Sequence, residues 1–398
     1  MSKVYITGLG IISAIGDNAS QNLQSLKQGK SGIKPLRVLE SIHREQFSVG
    51  EITYTNEELG ALAGVDKYDR YSRTALLSII AAKEAFYDSK INVNDGLRTG
   101  IVSATTAGGI DRTERFYQSQ TADNHFIITH SANHHLEVIC DLLNITDFSA
   151  TISTACSSSA NAIMNGARLI KSGRLDRVLV GGTDALSKYT FNGFNSLMIL
   201  DNEPCKPFDE NRKGLNLGEG AAYLVLESED AVRRYSKTIY GEVLGYANAN
   251  DAYHQTASSP EGNGAVLSMK NALENAHIEP NQVSYVNVHG TGTLNNDDSE
   301  GTALQTIYGD AVPLFSSTKA FTGHTLGAAG AVEAVFSVWA INEGLIFPNL
   351  NLKTKIQKFN FSPNVELLTN QEVNIVMSNS FGFGGNNTTL IIGKYKQQ

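Results

Sequence analysis

The chain has 398 residues, more than one ordinary domain needs, and 41% apolar with 18% charged residues describes a globular protein with ample core. A net charge of −8 with no basic tail argues against nucleic acid as a partner, and no apolar run reaches the roughly 18 residues of a membrane span. Three cysteines, Cys140, Cys156 and Cys205, without CxxC spacing suggest neither a disulfide framework nor a zinc site.

Residues 4–8 read as a buried strand entered directly from Met1, which leaves no room for a signal peptide and makes the expected location the reducing cytoplasm. Residues 19–28 read as a helix, 70–87 as a long amphipathic helix and 99–104 as a strand. The polar stretch 112–143 holds His125, His130, His134 and His135 at no standard metal-ligand spacing, so a solvated or interface loop is expected there. Residues 150–154 form a β-branched strand, and Ile163, Ala167 and Ile170 then mark one face of a helix. Residues 177–181 are a strand ending in Gly181-Gly182-Thr183-Asp184, and strands follow at 221–227 and 240–249. A helix at 265–276, a strand at 283–288, a helix at 302–308, a strand at 312–316, a helix at 330–344 and strands at 374–378 and 388–392 complete the chain. This alternation predicts an α/β architecture, and the approximate repeat after residue 240 predicts two similar halves, 1–237 and 238–398.

Cys156 lies in Thr154-Ala155-Cys156-Ser157-Ser158-Ser159, where the strand gives way to the helix. Strand, tight turn, cysteine and helix is an arrangement suited to a thiol nucleophile. A helix's first N–H groups and its positive dipole end favour thiolate, which a cysteine of pKa ~8.5 otherwise scarcely forms at neutral pH. The competing reading is a small buried hydrophobe.

Two glycine-rich loops carry histidines. In His289-Gly290-Thr291-Gly292-Thr293, running on to Asn296-Asp297 and Glu300, a strand delivers His289 into a turn whose threonines can bond the local backbone. The second loop runs Lys319-Ala320-Phe321-Thr322-Gly323-His324-Thr325-Leu326-Gly327-Ala328-Ala329-Gly330, with Glu333 beyond. Its small residues allow the following helix to approach another backbone closely. Near the C-terminus, Asn379-Ser380-Phe381-Gly382-Phe383-Gly384-Gly385 exposes backbone N–H groups of the kind an oxyanion hole needs, and also reads as a turn between strands.

These motifs, with Pro207-Phe208-Asp209 through Arg212 to Gly218-Glu219-Gly220-Ala221, make the whole chain resemble a β-ketoacyl-[acyl carrier protein] synthase of the elongating class. The resemblance implies a thiolase-like fold, two similar halves in a layered α/β/α/β/α structure. It implies a catalytic set of Cys156, His289 and His324, with Lys319 and Glu333 in support, and substrate contacts at Phe383, Ala107, Thr291, Thr293 and Gly384. The implied reaction is decarboxylative condensation of malonyl-carrier protein with an acyl group on Cys156. No cofactor or metal is implied, since acyl and malonyl groups arrive on carrier-protein phosphopantetheine. Acyl carrier protein is the implied partner, a homodimer the implied assembly, and Lys67, Arg70 and Arg73 are candidates for a basic docking patch. Fatty-acid elongation and a specialised polyketide or polyene pathway both fit, as, less well, does a silent chain-length partner; the intact Cys156 weighs against the last. The chain departs from the family pattern at Leu294, Lys206 and Asn386, and the stretch 112–143 is short.

Overall fold

The computed structural model describes residues 3–118, 125–235 and 237–396, so residues 119–124 of the expected loop lie outside the described residues. Ten strands form one hydrogen-bonded sheet. They are β1 (Val4–Ser13), β2 (Thr99–Ala104), β3 (Phe148–Ile152), β4 (Arg177–Asp184) and β5 (Gly220–Ser228), then β6 (Gly241–Asn250), β7 (Tyr285–Asn287), β8 (Leu314–Ser316), β9 (Ile375–Gly382) and β10 (Asn386–Gly393). The order across the sheet is β8-β7-β9-β10-β6-β1-β5-β4-β2-β3.

The order is symmetric about its centre. Outward from β1, pairing is antiparallel to β5 and to β4, then parallel to β2 and to β3. Outward from β6, pairing is antiparallel to β10 and to β9, then parallel to β7 and to β8. Among the described residues, the two five-stranded wings pair with each other through the short antiparallel contact Tyr5↔Glu242 and Ile6↔Gly241.

Helices cover both faces of each wing, giving the α/β/α/β/α layering. Helix α1 (Arg73–Asp88) packs outside β1 and β5, and α3 (Asn263–Ala276) outside β6 and β10. Between the wings lie α2 (Ser158–Lys171) and α5 (Ala329–Glu343), which touch each other and strands of both wings. A middle layer has no solvent face, so α5 is buried without interruption from Ala329 to Ile341, and α2 is buried well beyond the face marked by Ile163, Ala167 and Ile170. The close approach requires a glycine: a Cβ on Gly330 of α5 would lie 2.7 Å from the Ala160 amide nitrogen of α2.

Two sequence expectations need correction. The helix expected at 302–308 starts at Leu294 as α4 (Leu294–Tyr308), capped by the Thr293 hydroxyl. Its Asn- and Asp-rich first turns are poor helix formers, and buried bonds from Asp297 and Glu300 to the preceding loop outweigh that propensity. The stretch 112–143 is largely helical, with Ile110–Phe116, His125–His130 and His134–Leu143. His134 and His135 are buried, and His135 Nε2 bonds Ser103 Oγ on β2 at 2.7 Å. Among the described residues no group of three or more His, Cys, Asp or Glu is placed to hold a metal, and no helix is long and apolar enough to cross a membrane.

Candidate active site

Strand β3 stops at Ile152, and the chain turns through Ala155 at φ +52°, a left-handed conformation that costs an alanine about 1 kcal/mol or more. The turn persists because its surroundings hold it: Ser158 Oγ accepts the Thr154 N–H at 2.8 Å and donates to the Ala155 carbonyl at 2.5 Å. Cys156 therefore sits just before α2, 5% exposed. Burial pushes its thiol up to about 11, while the Lys319 ammonium and the N–H groups of Phe383 and Cys156 pull it down. Desolvation thus opposes the help toward thiolate that the helix end gives. Those same two amides are directed at Sγ. A Cβ on Gly382 would lie 3.1 Å from the Cys156 amide nitrogen, so the glycine lets the Phe383 backbone come this close.

His289 follows β7 and is 2% exposed. The threonines bond each other, Thr291 Oγ1 to Thr293 Oγ1 at 2.9 Å, and the local backbone, with Thr291 Oγ1 accepting the Thr293 N–H and Thr293 Oγ1 the Asn296 N–H. The loop's anchor is Glu300: its carboxylate accepts the His289 N–H at 2.9 Å, the Gly290 N–H at 2.8 Å and Asn379 Nδ2 at 3.1 Å. Burial lifts Glu300 to about 7 against those bonds. His324 is held by a segment whose purpose the sequence did not reveal: its N–H donates to the Asn216 carbonyl, and the Gly218 N–H donates to its carbonyl. A Cβ on Gly218 would lie 2.2 Å from the Thr322 carbonyl oxygen, so this pairing too depends on glycine. His324 Nδ1 accepts the Leu326 N–H at 3.3 Å, which leaves the proton on Nε2.

The two imidazoles lie edge to face with ring centroids 5.3 Å apart. Burial, then the Lys319 charge, holds both well below the ordinary histidine range, so both are neutral donors at neutral pH. Lys319 and Glu333 form an ion pair with both side chains at most 3% exposed. Burial raises Glu333 to about 7 and the Lys319 charge opposes it. The Lys319 charge bears on Cys156, His289 and His324 together, which an ordinary surface salt bridge at a helix start would not do.

Two cavities meet at the thiol. One, of about 330 Å³, is lined by Cys156, His289, His324, Thr291, Thr293 and Phe383, and Lys213 and Ser258 also line it. The other, of about 370 Å³ and more apolar, is lined by Cys156, Thr106, Ala107, Phe194, Leu326 and Phe383. The rings of Phe194 and Phe383 stack at 5.6 Å where the two cavities share their lining.

Cys156, His289, His324, Thr291, Thr293 and Phe383 thus converge, and Ala107 lines the second cavity. Gly384 lines neither: its N–H donates to the Gln255 carbonyl and its own carbonyl accepts Asn250 Nδ2. Its φ of +77° serves the turn, so the expected substrate contact is corrected to a structural role. Arg73 is also corrected: it is buried and holds Glu219 through Nε at 2.8 Å and Nη2 at 2.6 Å, so it belongs to no surface patch. Lys67 and Arg70 are exposed. Phe194 and Leu326 also line the second cavity, and nothing in their local sequence pattern separates a cavity wall from a core.

The profile of the β-ketoacyl synthase N-terminal domain matches residues 1–231, and that of the C-terminal domain matches residues 240–353. A 3-oxoacyl-[acyl-carrier-protein] synthase 2 from Coxiella burnetii is 34% identical, with 98% of each chain covered. Among solved structures, the ishigamide ketosynthase/chain length factor superposes with a TM-score of 0.93 at 31% identity, over 99% of this chain and 100% of that one. A ketosynthase in complex with its chain length factor from Xenorhabdus doucetiae gives a TM-score of 0.83 at 30% identity, over 99% and 98%.

Proposed function

The chain belongs to the β-ketoacyl synthase family, and on that premise we propose that one thiol and two histidines divide a single condensation between them. The reaction is the decarboxylative Claisen condensation of a malonyl-carrier protein with an acyl group, which lengthens the acyl chain by two carbons. The half 1–237 supplies Cys156, and the half 238–398 supplies His289 and His324. The observation that carries this division is that Cys156 lines both cavities, one holding two neutral imidazoles, the other more apolar.

The acyl chain enters the apolar cavity and its thioester carbonyl meets Sγ. The new carbon–sulfur bond forms as the bond to the carrier thiol breaks, and the Cys156 proton ends on that departing thiol. The Cys156 and Phe383 N–H groups hold the oxyanion. The malonyl thioester then sits against His289 and His324. Its carboxylate leaves as carbon dioxide, and the freed electron pair becomes an enolate whose oxygen both imidazoles stabilise. The carbanion attacks the acyl group, the electron pair of the breaking carbon–sulfur bond returns to Sγ, and a proton taken up from solvent restores the thiol. The steps balance without metal, nucleotide or electron carrier. Splitting the condensation at a covalent acyl-enzyme replaces one hard step with two easier ones. Lys319 and Glu333 position this set through the charge they fix behind it. Intact-mass measurement after mixing with an acyl-carrier protein tests the assignment: one acyl group on Cys156 is expected, and labelling at Cys140 or Cys205 would overturn it.

Carrier protein delivers both substrates in the cytoplasm, where the three unpaired cysteines stay reduced. The sheet edge supports a homodimer. β3, whose end leads directly to Cys156, is a terminal strand and only partly buried; the helix His134–Leu143 packs on it, and the segment His125–His130, which touches that helix, exposes Ile127 and Ile128. An unpaired edge and exposed apolar side chains both call for a cover. A second reading, pairing with a chain-length partner in a specialised pathway, is favoured by the likeness to the ishigamide ketosynthase/chain length factor. Sedimentation of the purified chain is expected to show a dimer; a monomer that dimerises only with a second protein supports the alternative.

Ala107 sets how far an acyl chain can reach. Each methylene kept out of an apolar cavity forfeits ~0.8 kcal/mol, so excluding two costs about tenfold in binding. The Ala107→Phe variant is therefore expected to lose long acyl donors at least about tenfold while short donors change little. Equal loss at both lengths would show that Ala107 does not limit the chain.

A further inference from the structure

Asp184 closes β4 at 1% exposure, and its carboxylate meets donors from two separate loops. Oδ1 accepts Thr105 Oγ1–H at 2.7 Å and the N–H groups of Thr106 at 3.0 Å and Ala107 at 3.4 Å. Oδ2 accepts the Thr106 N–H at 3.0 Å, Thr106 Oγ1–H at 2.8 Å and the Gly327 N–H at 2.7 Å. Burial raises its pKa and the donors lower it. With donors on both oxygens the ionised form fits, whereas an acid O–H would face N–H groups.

Two of the donor residues, Thr106 and Ala107, line the acyl cavity, and so does Leu326, next to the donor Gly327. Leu326 is left-handed at φ +52°, a conformation that leucine keeps only when held. Its N–H is the donor to His324 Nδ1. Gly327 admits the clasp, since a Cβ there would lie 2.6 Å from Asp184 Oδ2 and 3.1 Å from the Thr106 nitrogen.

We propose that Asp184 is a positioning residue that fastens the 105–107 wall of the acyl cavity to the 326–327 turn, and through the Leu326 N–H fixes the His324 ring with Nε2–H toward the malonyl thioester. The inference rests on the role proposed for His324. An asparagine of the same shape turns an NH₂ toward the Thr106 and Ala107 amides or toward the Gly327 amide, so one side of the clasp opens whichever way it faces.

The test is Asp184→Asn, assayed for carbon dioxide release from malonyl-carrier protein and, separately, for acylation of Cys156 by acetyl-carrier protein. The expected result is a kcat for release lower by on the order of 10- to 100-fold, with KM and the acylation rate within about threefold, because a small misplacement of a catalytic donor costs this much. Unchanged release would overturn the inference, and so would an equal fall in both half-reactions, the mark of a merely structural residue. Should Asp184→Asn fail to fold, Thr106→Val keeps the side chain's shape and removes one donor to Oδ2. A few-fold fall in release with acylation intact is then expected, and unchanged release overturns the proposal. His324→Ala, run beside them, separates the two ideas. Loss there without loss at Asp184→Asn refutes the clasp alone; no loss in either refutes the role given to His324.

Discussion

Cys156→Ala is expected to lose chain elongation by on the order of 10⁴-fold or more, the scale seen when a covalent nucleophile is removed. The other two cysteines serve as controls. Cys205 is 1% exposed, its thiol is pushed up to about 12 by burial, and its N–H is held by Asn216 Oδ1. Cys140 is half-buried and lines neither cavity. Cys140→Ala and Cys205→Ala are expected to keep elongation within a few-fold, since neither reaches a substrate. Burial raises the Cys156 thiol as well, so what distinguishes it is geometry: two backbone amides at Sγ, the Lys319 charge, and access to both cavities. Elongation measured with purified carrier proteins decides the matter; a Cys156→Ala variant that still elongates would remove the covalent intermediate from the mechanism.

The second large effect belongs to the histidines. His289→Ala or His324→Ala is expected to slow carbon dioxide release from malonyl-carrier protein by about 10²- to 10³-fold, the cost of one donor at a developing oxyanion. Acylation of Cys156 should fall far less, because its oxyanion is held by backbone N–H groups that neither substitution removes. The double variant should lose less than the product of the two single losses, since both donors serve one oxygen. Release at the ordinary rate in either single variant would contradict the role given to that ring. Folding should survive at His324, where backbone bonds to Asn216 and Gly218 anchor the loop. The same holds at His289, where the Glu300 carboxylate holds the main chain rather than the ring.

The motifs were legible because each is a local solution to a local problem. The turn at Ala155, the left-handed glycines at 290 and 323, and the strand-to-helix setting of Cys156 follow from what the backbone must do within a few residues. The element pattern was legible for the same reason, since alternation and helical spacing are short-range signals. The first turns of α4 were not, because their stability comes from Asp297 and Glu300 bonding across the loop. Nor were the helices between 110 and 143, where His134 and His135 are polar in sequence yet buried in place.

By itself, then, the sequence determined the α/β class, the thiol, the two histidine loops and the glycine-rich turn that meets them, all encoded in contiguous residues. Tertiary structure alone decided that Arg73 is buried against Glu219, that Gly384 lines neither cavity, and that burial pushes the Cys156 thiol up. It also decided that Asp184 clasps residues 79 and 143 positions away in the chain. The physical reason is common to all four. Desolvation, charge pairing and cavity walls depend on which distant segments are packed together, and spacing along the chain carries no record of that.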